Sequence, residues 1–187
     1  MPLPGVILAA GRSSRMGRDK ALIPVGETTW LGRLVEVFSA AVAPVIVVVG
    51  HHAEEVAEAA GSELVVVHNR DYDRGMLSSL QSGLRALPDD AQGAVFTLVD
   101  HPHLQPETLT AVLNAFEQAR PPMVIPRFNG ERGHPVVVRR DVVEELLQLD
   151  PESSPKPVVR SHYPRALFLD LDDPAVTEDL DLPSDLR

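Results

Sequence analysis

The sequence contains no cysteine, and this absence excludes disulfide bridges, thiolate zinc centres and cysteine nucleophiles. Long apolar runs are also missing, because the longest, residues 40–49, contains a proline and has about half the length of a membrane-spanning helix. The first residues, MPLPGVILAAGRSS, have neither the basic start nor the apolar length of a signal peptide. We therefore expect a soluble, cytoplasmic protein with no membrane partner.

Positive charge is scarce as well. The 187 residues hold 17 Lys and Arg against 27 Asp and Glu, which gives a formal net charge of −10. This balance disfavours nucleic-acid partners, since a protein that binds nucleic acid needs a basic face to neutralise the phosphates. A small anionic ligand in a local basic pocket is still compatible with it. The length fits one domain over residues 1–187.

Seven short apolar, β-branched runs alternate with segments of helical spacing. Each run is nearly continuous in apolar residues, as expected for strands buried on both faces of a sheet. Helical spacing covers residues 31–38, 109–116 and 142–147, whereas the proline-rich residues 151–164 give no clear pattern. This alternation predicts an α/β domain with a mainly parallel sheet. The predicted strands are residues 6–9, 45–49, 64–67, 94–99, 123–125, 135–138 and 166–169.

Three polar or glycine-bearing loops, residues 11–20, 69–79 and 100–104, directly follow predicted strands. Ligands of such sheets bind at the carboxyl ends of the strands, so these loops form the candidate site. The first loop matches neither the Walker A pattern nor G-x-G-x-x-G. Its glycines and cations still favour phosphate, because glycine lets backbone N–H groups approach an anion whose charge arginine and lysine complement. A solvated turn with surface arginines is the structural alternative.

LAAGRSSRMGRDK, residues 8–20, resembles the L-A-[AG]-G-x-[ST]-x-R-M-G-x-x-K signature of the MobA-like nucleotidyltransferases of the molybdenum cofactor. The resemblance implies a three-layer α/β/α Rossmann-like fold of the glycosyltransferase-A-like, nucleotide-diphospho-sugar transferase type. Its seven-stranded sheet is expected to be mainly parallel with one antiparallel strand. In that family the loop wraps a nucleoside triphosphate. By resemblance, the nucleotide contacts are the backbone of Leu8, Ala9, Ala10 and Gly11, and the catalytic phosphate contacts are Arg15 and Lys20.

Two later segments extend the resemblance. NRDYDRGMLSSL is similar to the N-x-x-[YW]-x-x-G-M-x-x-S-[LI] pattern of the cytidylyltransferase branch, which implies that Asn69 and Ser79 bind the nucleotide near its base or ribose. LVDHP is similar to an L-x-D-x-P segment whose aspartate binds Mg²⁺, so Asp100 is the expected catalytic metal ligand. Helix-start hydroxyls and an aspartate before a proline turn also have a purely structural role as caps.

The carboxy-terminal half supplies further matches. The GHPVVV segment resembles a G-x-P strand near the acceptor, which makes His134 either an acceptor contact or a strand cap. His101 stands where the family is expected to have glutamine or methionine, and we group it with His134 as an acceptor-binding candidate. DLDLPSDL resembles D-[IV]-[DN]-T-P-x-D-[LY], so Asp181, with Asp179 as its rival, is the second expected Mg²⁺ ligand.

The resemblance implies nucleotidyl transfer. The phosphate of molybdopterin is expected to attack the α-phosphate of a nucleoside triphosphate and release pyrophosphate, with Mg²⁺ as cofactor. No general base is needed, because a phosphate monoester with a second pKa of about 6 is already ionised near neutral pH. Ala10 favours CTP, since the guanylyl branch more often has glycine there. A transient contact with a molybdoenzyme or its chaperone is the expected macromolecular interaction.

Three alternatives stay open. They are a guanylyltransferase of the same fold, a sugar- or alcohol-phosphate nucleotidyltransferase, and a non-catalytic nucleotide-binding accessory protein of a molybdoenzyme. The accessory role is kept open by departures from the family pattern at His101, at Leu182 and at residues 151–157, which replace a G-D-x-G-x-R segment. Arg12 and Arg18 occupy variable positions of the first loop and are expected to be solvated surface charges.

Overall fold

The structure, a computed structural model, describes residues 2–12, 19–60 and 64–180. Arg15, Arg18 and Asp181 lie outside these ranges, so their roles stay predictions from the sequence. Within the described ranges, no helix combines the length and the apolar character that crossing a membrane requires.

An eight-stranded sheet forms the centre of the described part of the chain. It contains all seven predicted strands, and a short eighth strand is added by a hairpin at residues 123–132. A separate two-stranded hairpin precedes the first helix. The strands are β1 (Gly5–Ala9), β2 (Pro24–Val25), β3 (Thr28–Thr29), β4 (Val45–Val49), β5 (Val65–His68), β6 (Gly93–Leu98), β7 (Met123–Phe128), β8 (Glu131–Arg132), β9 (Val136–Arg139) and β10 (Leu167–Asp170).

The strand order is β10-β7-β9-β6-β1-β4-β5, with β8 paired to β7. Strand β9 runs antiparallel to both of its neighbours, and the short β8 runs antiparallel to β7. The other pairs are parallel, which confirms the predicted mainly parallel sheet. The prediction that each strand is buried on both faces is wrong for β5, whose Val65 and Val66 are 42% and 38% exposed. Strand β5 lies at the edge of the sheet, so less of the structure covers it.

Six helices of the described chain cover the two faces of the sheet. They are α1 (Trp30–Ser39), α2 (Ala53–Ala60), α3 (Met76–Arg85), α4 (Pro106–Ala119), α5 (Arg140–Leu147) and α6 (Lys156–His162). Helices α1, α2 and α4 pack in one apolar cluster, and α3, α5 and α6 in the other. Along β1, Ile7 and Ala9 join the first cluster and Val6 and Leu8 the second, because successive strand side chains point to opposite faces. These layers confirm the three-layer α/β/α architecture.

Helix α6 occupies the proline-rich segment whose pattern was unclear from the sequence. Pro157 lies in its first turn. Proline is tolerated there because the first N–H groups of a helix have no intrahelical partner. The helix places Val158 and Val159 against the second apolar cluster, so packing against the sheet accounts for a helix that helical spacing alone did not predict.

The position of β1 determines where the chain can bind a ligand. Strand β1 lies between β4 and β6, so the chain first extends the sheet on one side, through β4 and β5, and later on the other, beginning with β6. The connection after β1 therefore runs along the sheet towards β4, and the connection after β6 runs in the opposite direction towards β7. Such a reversal leaves a crevice at the carboxyl ends of the strands, where ligands of open α/β sheets bind.

Candidate active site

A cleft of about 430 Å³ opens at the carboxyl ends of β1 and β6. The structure brings together in it seven of the residues singled out from the sequence, namely Leu8, Ala9, Ala10, Gly11, Lys20, Ser79 and Asp100. The lining is completed by Asp19, Tyr72, Gly75, Met76, Leu98 and Val99. Residues far apart in the chain thus share one crevice because the ends of parallel strands meet at one edge of the sheet.

Lys20 and Asp100 carry opposite charges on facing walls of this cleft. The Lys20 ammonium donates to Asp100 Oδ2 across 3.3 Å, and the two side chains are 10% and 20% exposed. The other carboxylate oxygen, Asp100 Oδ1, is enclosed and accepts no hydrogen bond from the described residues. A buried carboxylate oxygen without a donor favours a bound cation, and oxygen ligands of this kind suit Mg²⁺. Asp100 therefore fits the predicted metal ligand.

Asp19 fixes the backbone that presents Lys20. Its Oδ1 accepts a hydrogen bond of 3.0 Å from the Ala21 N–H and so caps the short 3₁₀ helix Lys20–Leu22. Asp19 is 5% exposed, and burial raises the pKa of its carboxyl group. The cap fixes the start of this 3₁₀ helix, where Lys20 is itself 8% exposed.

The second loop is organised by Asn69. The Asn69 amide donates to the hydroxyl oxygens of Ser78 and Ser79, each across 3.0 Å, and its Oδ1 accepts from the Asp71 N–H. Asn69 is 5% exposed and does not line the cleft. Its side chain is therefore used within the protein, and Ser79 is the member of the pair that faces a ligand. This geometry supports a positioning role for Asn69 rather than contact with a base or ribose.

Arg12 joins the first loop to the second. Its guanidinium donates to both carboxylate oxygens of Asp73, across 2.9 and 2.7 Å, and lies 5.8 Å from the centre of the Tyr72 ring. These hydrogen bonds raise the pKa of Arg12. The expectation that Arg12 is a surface charge is confirmed, because both partners of the ion pair are more than half exposed, and the structure adds Asp73 as its partner. The tertiary fold brings Asp73, 61 residues away, within reach.

His101 and His134 form a pair behind Asp100. Their ring centres are 5.0 Å apart, and the His134 ring also meets Phe96 edge-on at 5.6 Å. Burial lowers the pKa of both rings, that of His134 to about 3, although the nearby carboxylates of Asp100 and Asp179 act in the opposite direction on His101. Neither ring lines the cleft. The arrangement suits neutral imidazoles that support Asp100.

The carboxy-terminal segment comes back to the Asp100 loop. The Leu180 N–H donates to the carbonyl oxygen of Asp100 across 3.0 Å, and the His134 N–H donates to that of Val176 across 2.9 Å. The adjacent Asp179 is close enough for its charge to act on His101. A backbone hydrogen bond therefore holds Asp179 and Leu180, the described start of the acidic tail motif, beside the first expected metal ligand.

Besides Leu98 and Val99, which directly precede Asp100, four cleft residues were not singled out from the sequence, although three of them stand in the pattern that identified the second loop. Tyr72, Gly75 and Met76 occupy fixed positions of N-x-x-[YW]-x-x-G-M. Gly75 has φ 111°, a left-handed conformation that favours glycine, directly before α3. The Met76 side chain is 47% exposed at the cleft. The fourth, Asp19, has no such signal beyond its place next to Lys20.

The fold and the cleft define an α/β protein of the class that binds nucleotides at the carboxyl ends of its strands. A family model described as the MobA-like NTP transferase domain matches residues 5–166, and the chain belongs to this family.

Individual relatives cover most of the chain. It is 26% identical to a molybdenum cofactor cytidylyltransferase of Escherichia coli K12, over 96% of this chain and 91% of that protein. It is 29% identical to a probable molybdenum cofactor guanylyltransferase of Mycobacterium avium, over 80% of this chain and 75% of that protein. A crystal structure of Rv0371c from Mycobacterium tuberculosis H37Rv superposes with a TM-score of 0.88 at 32% identity, covering 100% and 96% of the two chains. A second structure of Rv0371c is a complex with manganese, at a TM-score of 0.79 and 30% identity over 100% and 97%.

Proposed function

We propose that this protein is a nucleotidyltransferase that moves a nucleoside monophosphate from its triphosphate to the phosphate of molybdopterin, with CTP as the favoured donor. Residues 1–187 form its catalytic domain in this proposal. One observation carries it: a lysine and a metal-competent aspartate face each other in a cleft that begins at a glycine-bearing loop after β1. The molybdenum cofactor as acceptor is supported by the activities named for the Escherichia coli and Mycobacterium avium relatives.

The reaction is an in-line displacement at phosphorus. An oxygen of the acceptor phosphate forms a new bond to the α-phosphorus, the bond from that phosphorus to the bridging oxygen of the β-phosphate breaks, and pyrophosphate leaves. The acceptor is already ionised near neutral pH, since the second pKa of a phosphate monoester is about 6. The described cleft accordingly needs no histidine as a general base, and the two nearby imidazoles lie outside its lining.

The catalytic task of the protein is positioning and charge stabilisation. Backbone N–H groups at Ala10 and Gly11 are available to the triphosphate, because no side chain of Gly11 stands in the way. The Lys20 ammonium stabilises the negative charge that grows on the departing pyrophosphate. Arg15, outside the described residues, is assigned the same task from the family signature alone.

Asp100 would hold Mg²⁺ through the carboxylate oxygen that accepts no hydrogen bond from the described residues. Asp181 is the proposed second ligand, with Asp179 as the rival. When bound, Mg²⁺ would supply Lewis-acid stabilisation of phosphoryl oxygens. Without it, the Asp100 carboxylate repels a triphosphate, so Lys20 and the metal together make the cleft compatible with the substrate. The manganese complex of Rv0371c supports a divalent cation in a relative of this fold.

The choice of base is assigned to Ala10. Ala10 is 3% exposed and lines the cleft. Its methyl group and its carbonyl group pack directly against Gly50. This contact keeps Ala10 from moving away from a base, so a smaller pyrimidine fits better than a purine. The guanylyltransferase alternative rests on the Mycobacterium avium relative. The alternatives of a sugar- or alcohol-phosphate nucleotidyltransferase and of a non-catalytic accessory protein are outcomes of the experiments below.

The experiment measures pyrophosphate release with each of the four ribonucleoside triphosphates, with and without molybdopterin, in the presence of Mg²⁺. We expect release only with molybdopterin and with CTP as the preferred donor. GTP-selective release would move the chain to the guanylyl branch. Pyrophosphate release that requires a sugar phosphate instead of molybdopterin would show that the acceptor is a sugar phosphate.

Binding without turnover decides the accessory alternative. Calorimetric titration with CTP measures affinity independently of chemistry, and Asp100→Asn serves as a variant that keeps the shape of the cleft but loses the carboxylate charge. Tight CTP binding by the wild-type protein, with no pyrophosphate under any condition, would contradict the enzymatic proposal.

A further inference from the structure

Two histidines and an aspartate meet beside the cleft, at the carboxyl end of β4. One ligand atom from each of Asp19, His51 and His52 lies within 4.8 Å of the others. The two histidines follow β4 directly, whereas Asp19 precedes Lys20 in the loop after β1. None of the three was selected from the sequence, because two adjacent histidines and a distant aspartate match no metal-binding spacing.

Two polar atoms of this cluster are buried and unpartnered. Asp19 Oδ2 and His51 Nδ1 are enclosed, and neither forms a hydrogen bond with the described residues. Asp19 as a whole is only 5% exposed, and its other oxygen is already used by the Ala21 N–H. Leaving such atoms unsatisfied costs free energy of the order of 1–3 kcal/mol each. A cation bound between them would remove both deficits together.

The geometry of the third ligand fits the same reading. His52 Nδ1 lies 3.7 Å from Asp19 Oδ2. Tetrahedral zinc with ligand distances of about 2.0–2.1 Å holds neighbouring donors about 3.4 Å apart. The His52 side chain is 47% exposed, so a small rotation of its ring closes the difference. His52 has φ 53°, and this left-handed backbone turns its side chain back beside His51, at 4.0 Å between ring centres.

The donor set distinguishes this cluster from the proposed magnesium site. Imidazole nitrogens suit Zn²⁺, Co²⁺ and Ni²⁺, whereas Mg²⁺ takes oxygen ligands. Asp100 offers only carboxylate oxygens, and the Lys20 ammonium lies at 3.3 Å from one of them. The two candidate cation sites therefore differ in chemistry, and Lys20, which directly follows Asp19 in the chain, contacts Asp100 of the other.

We propose that Asp19, His51 and His52 bind a first-row transition-metal dication such as Zn²⁺, and that this ion fixes the start of the Lys20 segment to the end of β4. His51 is already attached to the first loop, because its N–H donates to the Ala10 carbonyl oxygen across 3.3 Å. The metal adds a second link at Asp19, and a water molecule completes the coordination. The site orders the wall of the cleft and takes no part in phosphoryl transfer, so it stands independently of the proposed function.

The test is a titration of metal-free, tag-free protein with Co²⁺, whose visible d–d absorption reports nitrogen and oxygen coordination. The titration is repeated with excess Mg²⁺ and then with competing Zn²⁺. We expect one equivalent of Co²⁺ to bind, to persist in Mg²⁺ and to be displaced by Zn²⁺.

Variants locate the ion. Asp19→Asn keeps the acceptor for the Ala21 N–H but loses the charge, and His52→Asn suits the left-handed backbone at that position. Each is expected to weaken Co²⁺ binding by at least about tenfold, the lower end of what loss of even an outer partner causes. His103→Asn, at an exposed histidine outside the cluster, is the matched control and leaves binding unchanged.

Three results would overturn the proposal. The first is Co²⁺ binding that is equal in Asp19→Asn, His52→Asn and wild type. The second is displacement of Co²⁺ by Mg²⁺ together with its loss in Asp100→Asn, which would place the ion at the magnesium site. The third is a d–d absorption that does not differ from that of aqueous Co²⁺. Circular dichroism of each variant establishes that it is folded, and no readout depends on nucleotidyl transfer.

Discussion

Ala10 has two glycine neighbours, Gly11 in sequence and Gly50 in space. Substituting each of them tests ligand binding and protein packing separately. A methyl group added at Gly11 meets no atom of the described residues within 4 Å, and Gly11 is exposed without a positive φ. A methyl group added at Gly50 falls 2.6 Å from the Ala10 carbonyl oxygen and 2.9 Å from the Ala10 methyl. The same chemical change thus tests the cleft at one position and the core beneath it at the other.

We expect Gly11→Ala to leave stability almost unchanged and to impair catalysis. An exposed, unstrained position tolerates substitution within about 0.5 kcal/mol of unfolding free energy. If a phosphate oxygen approaches the Gly11 N–H, the methyl group displaces it by roughly 1 Å, and a misplacement of that size costs about 100-fold in rate. The assays are the melting temperature and kcat/KM for pyrophosphate release.

We expect Gly50→Ala, in contrast, to lower the stability of the protein. Overpacking costs about 1–3 kcal/mol, and for a chain of this length each kcal/mol lowers the melting temperature by about 2–4 °C. The expected decrease is therefore about 2–12 °C. A Gly11→Ala variant with wild-type kcat/KM would refute close approach of the triphosphate to that backbone. A Gly50→Ala variant as stable as wild type would refute the close packing of Gly50 on Ala10.

Three further predictions concern charged groups. Asp100→Asn should lower turnover by at least about 100-fold without loss of fold, measured by pyrophosphate release and circular dichroism, because a neutral amide is a poor Mg²⁺ ligand. Lys20→Ala should weaken CTP binding by about 10–100-fold and CMP binding much less. The control Lys156→Ala, at the chain's other lysine, should change neither affinity. An equal loss for both nucleotides would contradict a contact between Lys20 and the terminal phosphates. His134 is half-buried, but its Nδ1 is enclosed, and burial lowers its pKa to about 3. Below pH 6.5 the unfolded chain therefore gains a proton at this residue that the folded chain does not. Stability therefore falls as the pH decreases from about 6.5 towards 3, and His134→Gln should lose about 2 kcal/mol less than wild type between pH 7.5 and 5.0 in urea unfolding.

Local patterns were sufficient for most of the architecture. Continuous apolar runs predicted six of the seven main strands within one residue, and β7 ends three residues later than its run, since a strand in the middle of a parallel sheet is apolar on both faces. The same rule failed for β5, where an edge position exposes valines that the pattern alone treats as buried. Helix α6 was missed for a related reason, because its stability comes from packing on the sheet and its prolines conceal the helical spacing.

The sequence by itself determined the first loop as a phosphate candidate, the carboxylate after β6, and the α/β layering, because each depends on residues that are adjacent in the chain. Only the tertiary structure decided the partners. It placed Asp73 on Arg12, turned Asn69 inward to Ser79, and brought the carboxy-terminal backbone to Asp100. It also assembled Asp19 with the histidines after β4. Apart from the contact of Asn69 with Ser79, ten residues away, these contacts join segments tens of residues apart. Their geometry depends on strand order and loop backbone conformation, which no local pattern of residues specifies.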